Sequence, residues 1–257
     1  MGEQLSRNWG PDFLILGTQK GGTNSLYNYM IQHPQIAPAL QYKEVHFFDL
    51  NFERGVDWYQ AQFPLIPDQE KILLGEATPY YLFHPLVPNR VAKLFPNVKL
   101  IILLRNPADR AISHYYWEVG LGTEKLTIAE AIAQENQRLQ GELEKFLDEP
   151  NYYSFNHQHY TYLSRGIYLE QIERWLKYFP PEQMLIMPSE DFFANPEISL
   201  NQVWNFLGLA PYQLADYKRY NSGNYSPVDG VIYQQLTEYF QPYNQDLATK
   251  LNRDFPW

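Results

Sequence analysis

Short runs of apolar residues recur along the chain, and longer segments with a helical spacing of apolar residues lie between them. A short apolar run bounded by polar turn residues is typical of a strand that is buried on both faces of a sheet. The sequence predicts such strands at Phe13–Gly17, Lys71–Glu76, Val98–Arg105 and Met184–Pro188. Helices are predicted at Leu26–Ile31, Asn89–Phe95, Asp109–Leu121, Tyr168–Phe179 and about Pro196–Leu207. Because strands alternate with helices, we predict an α/β fold with three layers, a doubly wound parallel sheet flanked by helices.

Two regions depart from this alternation. From Glu124 to Leu147, apolar residues recur with helical spacing among Glu, Gln and Lys, which predicts one amphipathic helix with a solvated polar face. We interpret residues 124–147 as a helical insertion over the sheet or a lid, with an ordinary surface helix as the alternative. The segment from Val228 to Trp257 is predicted to be helical with a break at Pro242. Residues 1–257 are predicted to form a single domain.

The composition excludes several classes of protein. The chain has 257 residues, of which 45% are hydrophobic and 16% aromatic, so it can bury a large core and is not expected to be disordered. It has no cysteine, which excludes a disulfide framework, thiolate zinc ligands and a cysteine nucleophile. The formal net charge of −9 argues against nucleic-acid binding through phosphate neutralisation. An anion that binds this chain must therefore lie in a local positive pocket.

The sequence carries no signal for a membrane or for secretion. No apolar stretch approaches the roughly 20 residues that a membrane-spanning helix needs. Residues 1–10 are polar and lack the basic start and apolar core of a secretory signal. We therefore expect a cytoplasmic chain without a membrane span, although a domain trimmed from a larger protein would have the same features.

The most informative segment is the turn between the first predicted strand and the first predicted helix, Thr18–Ser25. A glycine-rich turn at this position directs backbone N–H groups at one point, with the positive end of the helix dipole behind them. Lys20 adds a full charge, and the hydroxyl groups of Thr23 and Ser25 add donors. These features predict a phosphate-binding loop, and the alternative is an ordinary tight turn between a strand and a helix.

The spacing in this turn differs from that of the ATP-binding P-loop, in which the lysine follows the last glycine. Here Lys20 precedes Gly21 and Gly22, and the Val98–Arg105 strand ends in arginine where a magnesium-dependent enzyme would place an aspartate. An arginine at that point repels a metal ion and favours an anion, since guanidinium matches phosphate geometry with two hydrogen bonds. Glu76 is a weaker candidate for the acidic residue. The pattern therefore indicates a nucleotide with two separate phosphate groups and no metal.

Four segments together resemble a known family. They are GTQKGGTNSL at 17–26, KEVHFFD at 43–49, LLRNPADRAISHY at 103–115 and Asn252–Phe255. In this order they resemble the sulfotransferases that use 3′-phosphoadenosine 5′-phosphosulfate (PAPS), especially the heparan sulfate glucosaminyl 3-O-sulfotransferase branch and its single-domain bacterial relatives. The resemblance extends from about Phe13 to Trp257. It implies a P-loop-like sheet, transfer of a sulfuryl group with release of 3′-phosphoadenosine 5′-phosphate (PAP), and no metal.

The resemblance also assigns a donor site. Lys20, Gly21, Gly22, Thr23, Asn24 and Ser25 would hold the 5′-phosphosulfate. Lys20 would lie at the bridging oxygen and neutralise the leaving phosphate. Arg105 and Ser113 would hold the 3′-phosphate that distinguishes this donor from ATP. Asn221–Tyr225, which includes Ser222 and Gly223, would close over the nucleotide, with a plain turn as the alternative.

The segment Lys43–Asp49 would supply the catalytic base. Glu44 matches the family's base, and a carboxylate within hydrogen-bond reach can take the proton of an acceptor hydroxyl. The resemblance implies that His46 and Asp49 orient Glu44 or the acceptor. Lys43 would lower the pKa of Glu44 or contact the acceptor.

The expected acceptor is a hydroxyl group of a carbohydrate or a small-molecule alcohol, and an amine is less favoured. Thr78 is expected to bind substrate, although its segment, Glu-Ala-Thr-Pro at 76–79, lacks the substrate-facing lysine of the 3-O-sulfotransferase pattern Glu-Lys-Thr-Pro. The net charge of −9 makes a heavily anionic glycan a poor fit. Some of the many tyrosines could line a cleft for a sugar, lipid or aromatic alcohol, while most are expected in the core and at its rim.

Two other functions stay open from the sequence. A magnesium-dependent P-loop kinase acting on a small alcohol would share the phosphate loop, and a non-catalytic nucleotide- or glycan-binding module would bind without turnover. His157 and His159 suggest metal ligation, but without a third ligand at useful spacing a loop is favoured. The sequence does not determine the oligomeric state.

Overall fold

A parallel sheet forms the centre of the molecule. The computed structural model describes residues 9–66, 71–218, 220 and 228–257. Within these ranges the sheet has five strands in the order β2-β3-β1-β4-β5, and every neighbouring pair is parallel. The strands are β1 Phe13–Gly17, β2 Ile36–Ala37, β3 Leu73–Ala77, β4 Lys99–Leu104 and β5 Met184–Pro188. The four predicted strands are confirmed to within two residues at each end, and the two-residue β2 at the sheet edge was not predicted.

Helices connect the strands and cover the sheet. They are α1 Thr23–Met30, α2 Phe47–Leu50, α3 Gly55–Gln60, α4 Val87–Leu94, α5 Pro107–Leu121, α6 Ile128–Leu139, α7 Glu142–Asp148, α8 Phe155–His159, α9 Tyr168–Leu176, α10 Ser189–Ala194, α11 Pro196–Leu207 and α12 Gly230–Leu251. Single 3₁₀ turns occur at Phe52–Arg54, Ser164–Gly166 and Pro181–Gln183. None of the helices in the described ranges is long and apolar enough to cross a membrane.

The strands are apolar throughout because both faces of the sheet are buried. Successive side chains of a strand point to opposite faces. One face of the sheet packs against α4, α9 and a cluster of aromatic side chains from the chain segment that precedes β3. The sheet residues in this contact include Leu14, Leu100 and Ile102. The opposite face packs with α1 and α11, through residues that include Phe13 and Ile101. The predicted three-layer α/β architecture is confirmed.

The direction of the chain reverses between β1 and β4. From β1 the chain runs outward to β2 and returns through β3, whereas from β4 it runs in the opposite direction to β5. In open α/β sheets, such a switch point leaves a crevice at the carboxyl ends of the two strands. The two positive residues singled out from the sequence, Lys20 and Arg105, follow these two strand ends.

Two helix predictions were wrong. Residues 124–147 form two helices instead of one: a capping box of Thr127 and Glu130 begins α6, and Gly141, with φ of +77°, separates it from α7. The terminal helix α12 runs without interruption through Pro242. Residues buried on both sides of this proline, among them Phe240 and Leu247, hold the helix against the domain, so tertiary packing outweighs the local cost of the proline.

Candidate active site

A cavity of about 740 Å³ lies at the carboxyl ends of β1 and β4. Its walls include the turns after β1 and β3, the segment before α2, the helices α5, α8 and α10, and Arg165 between α8 and α9. The predicted site residues that line it are Lys20, Gly22, Thr23, Asn24, Lys43, Glu44, His46, Arg105 and Ser113. The cavity therefore brings together residues that the sequence places in three separate segments. No lining residue comes from 124–147 in the part of the chain that the structure describes, so the lid stays a prediction.

The turn after β1 presents the start of α1 to the cavity. Gly22 precedes the helix with φ of +94°, a conformation that a side chain would strain, and no side chain caps the first turn. A Cβ atom on Gly22 would also lie 2.7 Å from the ring of Phe193. Thr23 and Ser25, predicted as hydroxyl donors, lie inside the first turn of α1. Because the first N–H groups of a helix have no acceptor within it, this turn can bind an anion.

Lys20 and Arg105 are adjacent in the cavity. Arg105 Nη1 donates a hydrogen bond of 3.1 Å to the carbonyl oxygen of Lys20, and the Lys20 Nζ atom lies 4.4 Å from the ring centroid of Trp117. Burial and the nearby Arg105 guanidinium lower the pKa of Lys20. Among the residues the structure describes, neither cation forms an ion pair with a carboxylate. Both are thus available to an anion.

The junction between β4 and α5 carries Arg105, and α5 carries Ser113, into the same cavity. Asn106 caps this helix by accepting hydrogen bonds from the backbone N–H groups of Ala108, at 2.9 Å, and Asp109, at 3.2 Å. The Tyr168 hydroxyl donates to the carbonyl oxygen of Arg105 at 2.7 Å. These contacts fix the junction between β4 and α5, so Arg105 and Ser113 lie on a rigid element.

Four linked side chains lie on the segment before α2 and on the first turn of that helix. His46 Nε2 lies 3.4 Å from Glu44 Oε2, and His46 Nδ1 lies 2.7 Å from Asp49 Oδ2. Lys43 Nζ lies 3.0 Å from Glu44 Oε1. Glu44 therefore faces the cavity with a cationic group beside each of its oxygens, and Asp49 supports the histidine from behind.

The charges of these side chains follow from their contacts. Burial opposes protonation of His46, but Asp49 and Glu44 outweigh it and raise the pKa of His46 to about 10. Burial likewise opposes ionisation of Glu44, yet the contacts with His46 and Lys43 leave the pKa of Glu44 below its ordinary value. At neutral pH the site therefore holds an imidazolium and an ionised carboxylate.

A buried network beneath the segment holds it in place. Glu76, fully buried at the end of β3, accepts hydrogen bonds from Val45 N at 3.1 Å, Thr78 Oγ1 at 2.5 Å, Tyr81 OH at 2.8 Å and Tyr59 OH at 3.0 Å. Burial raises the pKa of Glu76 to about 7. Neither Glu76 nor Thr78 is among the residues lining the described cavity. Thr78, predicted to bind substrate, is buried and accepts from the backbone N–H of His46 at 3.3 Å.

The other predicted residues lie as follows. Gly21 and Ser25 are in the phosphate loop but do not line the described cavity: Ser189 Oγ donates to the carbonyl oxygen of Gly21, and Ser25 Oγ accepts from Tyr220 N at 3.0 Å. The Asp49 side chain is buried behind His46. Ser222 and Gly223, within Asn221–Tyr225, lie outside the described residues.

Several lining residues were missed from the sequence. Arg165 is buried and donates to the carbonyl oxygens of His157 and Gln158, at 2.9 Å each. Trp117 and Glu118 follow Ser113 by about one helical turn. This spacing could have predicted that they lie on the same side of the helix as Ser113 and line the same cavity.

The two histidines considered as metal ligands have separate partners. His157 Nδ1 lies 2.7 Å from the Tyr80 hydroxyl, whereas His159 Nδ1 lies 2.9 Å from Glu118 Oε2. Residues 9–66, 71–218, 220 and 228–257 contain no group of three or more His, Cys, Asp or Glu that could hold a metal ion.

The fold and the cavity define a class: an α/β protein whose switch-point crevice places cations and a helix start beside an ionised carboxylate. Residues 10–224 match the family model of the sulfotransferase domain. The chain belongs to this family and is a sulfotransferase enzyme with the P-loop-like fold. The kinase alternative has no support in these matches.

Individual relatives agree with the family. The membrane-associated sulfotransferase kil1 of Dictyostelium discoideum is 28% identical over 96% of this chain and 66% of its own length. Heparan sulfate glucosamine 3-O-sulfotransferase 5 of Mus musculus is 30% identical over 96% of this chain and 74% of its own. The crystal structure of a sulfotransferase from Alicyclobacillus acidocaldarius superposes with a TM-score of 0.79 at 29% identity, covering 96% of this chain and 98% of that one.

Proposed function

We propose that the chain transfers a sulfuryl group from PAPS to a hydroxyl group of a carbohydrate or small-molecule alcohol. The observation that carries the proposal is that Lys20, Arg105, Ser113 and Glu44 all open into one cavity. The bound donor supplies the sulfuryl group: the bond from acceptor oxygen to sulfur forms, the bond from sulfur to the 5′-phosphate oxygen breaks and its electron pair leaves with the phosphate. The acceptor's proton goes to Glu44.

Two positive regions suit the two ends of this donor. The first turn of α1 and Lys20 would bind the 5′-phosphosulfate, and Arg105 with Ser113 would bind the 3′-phosphate. Lys20 is poised to stabilise the charge that develops on the leaving phosphate, because a partly buried cation acts strongly on nearby charge. This cation also has no carboxylate partner among the described residues to compete with the phosphate.

Glu44 fits the role of general base. It is ionised at neutral pH, it faces the cavity, and Lys43 and His46 restrict its orientation. The His46 imidazolium, held by Asp49, keeps one Glu44 oxygen fixed and leaves the carboxylate positioned toward the cavity. General-base assistance by a positioned carboxylate is typically worth about 10²–10⁴-fold in rate.

The single-domain organisation and the cytoplasmic location of the chain stay predictions.

The donor proposal is tested by thermal unfolding with PAP, AMP and ADP. We expect PAP to raise the melting temperature and AMP and ADP to have little effect, because they lack the 3′-phosphate that Arg105 would bind. Arg105→Ala should weaken PAP binding by about 10–100-fold, the value of charge-assisted hydrogen bonds.

The exposed Arg54, which lies over Trp58 away from the cavity, provides a matched control, and Arg54→Ala should bind PAP normally. Equal shifts with all three nucleotides, or an unaltered PAP affinity in Arg105→Ala, would contradict the assignment of the 3′-phosphate site.

A further inference from the structure

Apart from Lys20 and Arg105, the lysine and the histidines of the described lining have partners within the chain. Of the described lining residues, Lys43 pairs with Glu44 at 3.0 Å, and His159 Nδ1 lies 2.9 Å from Glu118 Oε2. His46 lies between Glu44 and Asp49. Lys20 and Arg105 are assigned to the donor under the proposed function, and the cations Lys43 and His46 are already paired with carboxylates.

Arg165, the remaining cation of the described lining, is also occupied. It is 1% exposed, donates to two backbone carbonyl oxygens at 2.9 Å and to Gln19 Oε1, and packs against the rings of Tyr80 and Phe83. The Arg165 Nε atom has no hydrogen-bond partner but is buried, so an acceptor group could reach this charge only by displacing the surrounding side chains. The described acceptor end therefore offers no free positive charge.

Carboxylates are also among the residues that line the cavity. Glu118 accepts from Thr123 Oγ1 at 2.6 Å and contacts His159 and His114, and these contacts overcome burial and lower the pKa of Glu118 to about 2. Glu44 is ionised as well. An acceptor with many negative charges would face these carboxylates in a partly desolvated space, where repulsion is strong.

One wall is apolar. Trp117 is 47% exposed, more than any other large apolar side chain of the described lining. It lies one helical turn beyond Ser113 on the same side of α5. Its ring is 4.4 Å from the Lys20 Nζ atom, where the leaving phosphate would be, so it lies beside the reacting end of the donor.

We infer that the acceptor is an uncharged hydroxyl compound with a flat apolar face, which stacks on Trp117 while its hydroxyl group reaches Glu44. Neutral sugar rings and aromatic alcohols share this chemistry. The inference rests on the proposed function and narrows its acceptor class. It makes Trp117 a residue that determines acceptor specificity, since a flat ring presents apolar area with little loss of conformational freedom.

The test compares initial rates of sulfuryl transfer from PAPS to three probes: 2-naphthol, n-octyl β-D-glucoside and an N-sulfated heparan sulfate oligosaccharide. We expect transfer to at least one of the neutral probes and little to the oligosaccharide. Transfer to 2-naphthol would identify an aromatic alcohol as the source of the flat face, and transfer to the glucoside would identify a neutral sugar ring. Trp117→Ala should raise the KM for that probe by about three- to tenfold, the value of a ring contact, and Trp117→Phe should retain most of the affinity.

Tyr178→Ala is the control, because Tyr178 is 46% exposed and is not among the lining residues. It should leave the KM unchanged. Preferred transfer to the oligosaccharide, no transfer to either neutral probe by protein that binds PAP, or an unchanged KM in Trp117→Ala would overturn the inference. Failure of PAP to bind the wild-type protein would instead contradict the proposed function itself.

Discussion

The donor end and the base end of the cavity are built in different ways. At the donor end, Lys20 and Arg105 follow two hydrogen-bonded strands, β1 and β4, and their positions derive from the sheet. At the base end, Glu44 and His46 lie on irregular backbone between β2 and α2. That backbone forms no strand: Ala77 N of β3 donates to the carbonyl oxygen of Lys43 at 3.2 Å, and side chains from elsewhere in the chain hold the residues that follow.

The buried network of Glu76, Thr78 and Tyr81 takes the place of a regular element at the base end. Val45 N donates to Glu76 and Phe47 N to the Tyr81 hydroxyl, across separations of 31 and 34 residues. Anion binding is thus built into a strand-turn-helix unit, whereas the position of the base requires long-range hydrogen bonds. Substitutions at the two ends should therefore separate donor binding from turnover.

Glu44→Gln should produce the largest effect and should separate turnover from donor binding most clearly. We expect kcat to fall by about 10²–10⁴-fold, because the amide cannot accept the acceptor's proton. The affinity for PAP should stay close to that of the wild type, since Glu44 does not belong to the donor anchors. Steady-state kinetics together with PAP titration measure both quantities.

Glu144→Gln is the matched control, since Glu144 is exposed on α7 and is not among the lining residues. It should leave kcat unchanged. Normal turnover in Glu44→Gln would remove this residue from the role of base.

The same contrast explains what the sequence could predict. The apolar runs were sufficient for four strands, and the glycine turn with Lys20 and the strand end at Arg105 predicted a site for two separate phosphate groups. These are local patterns with a fixed geometric consequence. Glu44 was found through a resemblance, because a carboxylate on irregular backbone has no periodicity that marks it.

The residues that were missed or misplaced depend on contacts between distant segments. Thr78 was expected at the substrate, but the bend after β3 buries it against Glu76 and His46. Arg165 joins the cavity through a segment that follows α8. Pro242 was expected to break its helix, which packing against α5 and α9 prevents. Such outcomes follow from tertiary packing, which single-sequence patterns do not contain.

Tyr81→Phe removes one hydroxyl group from the buried network and otherwise keeps the shape of the side chain. It tests whether the base end depends on this network. Loss of the hydroxyl leaves Phe47 N–H without its 2.8 Å acceptor and takes one donor from Glu76. We expect the free energy of unfolding to fall by about 1–3 kcal/mol. Because the disturbed backbone carries Glu44 and His46, kcat should fall severalfold, while PAP affinity should change little. Denaturant unfolding and kinetics measure these effects, and an equal loss of PAP affinity would show that the two ends are not separable.

The smallest expected effect concerns the charge of His46. Its pKa in the folded protein, about 10, lies above its ordinary value of 6.5, so its contribution to stability is complete below pH 6.5 and is lost as the pH rises through 10. Burial keeps the pKa values of His84 and His114 near 3 and that of His157 well below its ordinary value, so these histidines are neutral throughout this window. The melting temperature of the wild type should therefore fall more steeply between pH 6.5 and 10 than that of His46→Gln, by a few °C. Parallel curves for the two proteins would show that Glu44 and Asp49 do not hold an imidazolium between them, and the orientation of the base would then need another source.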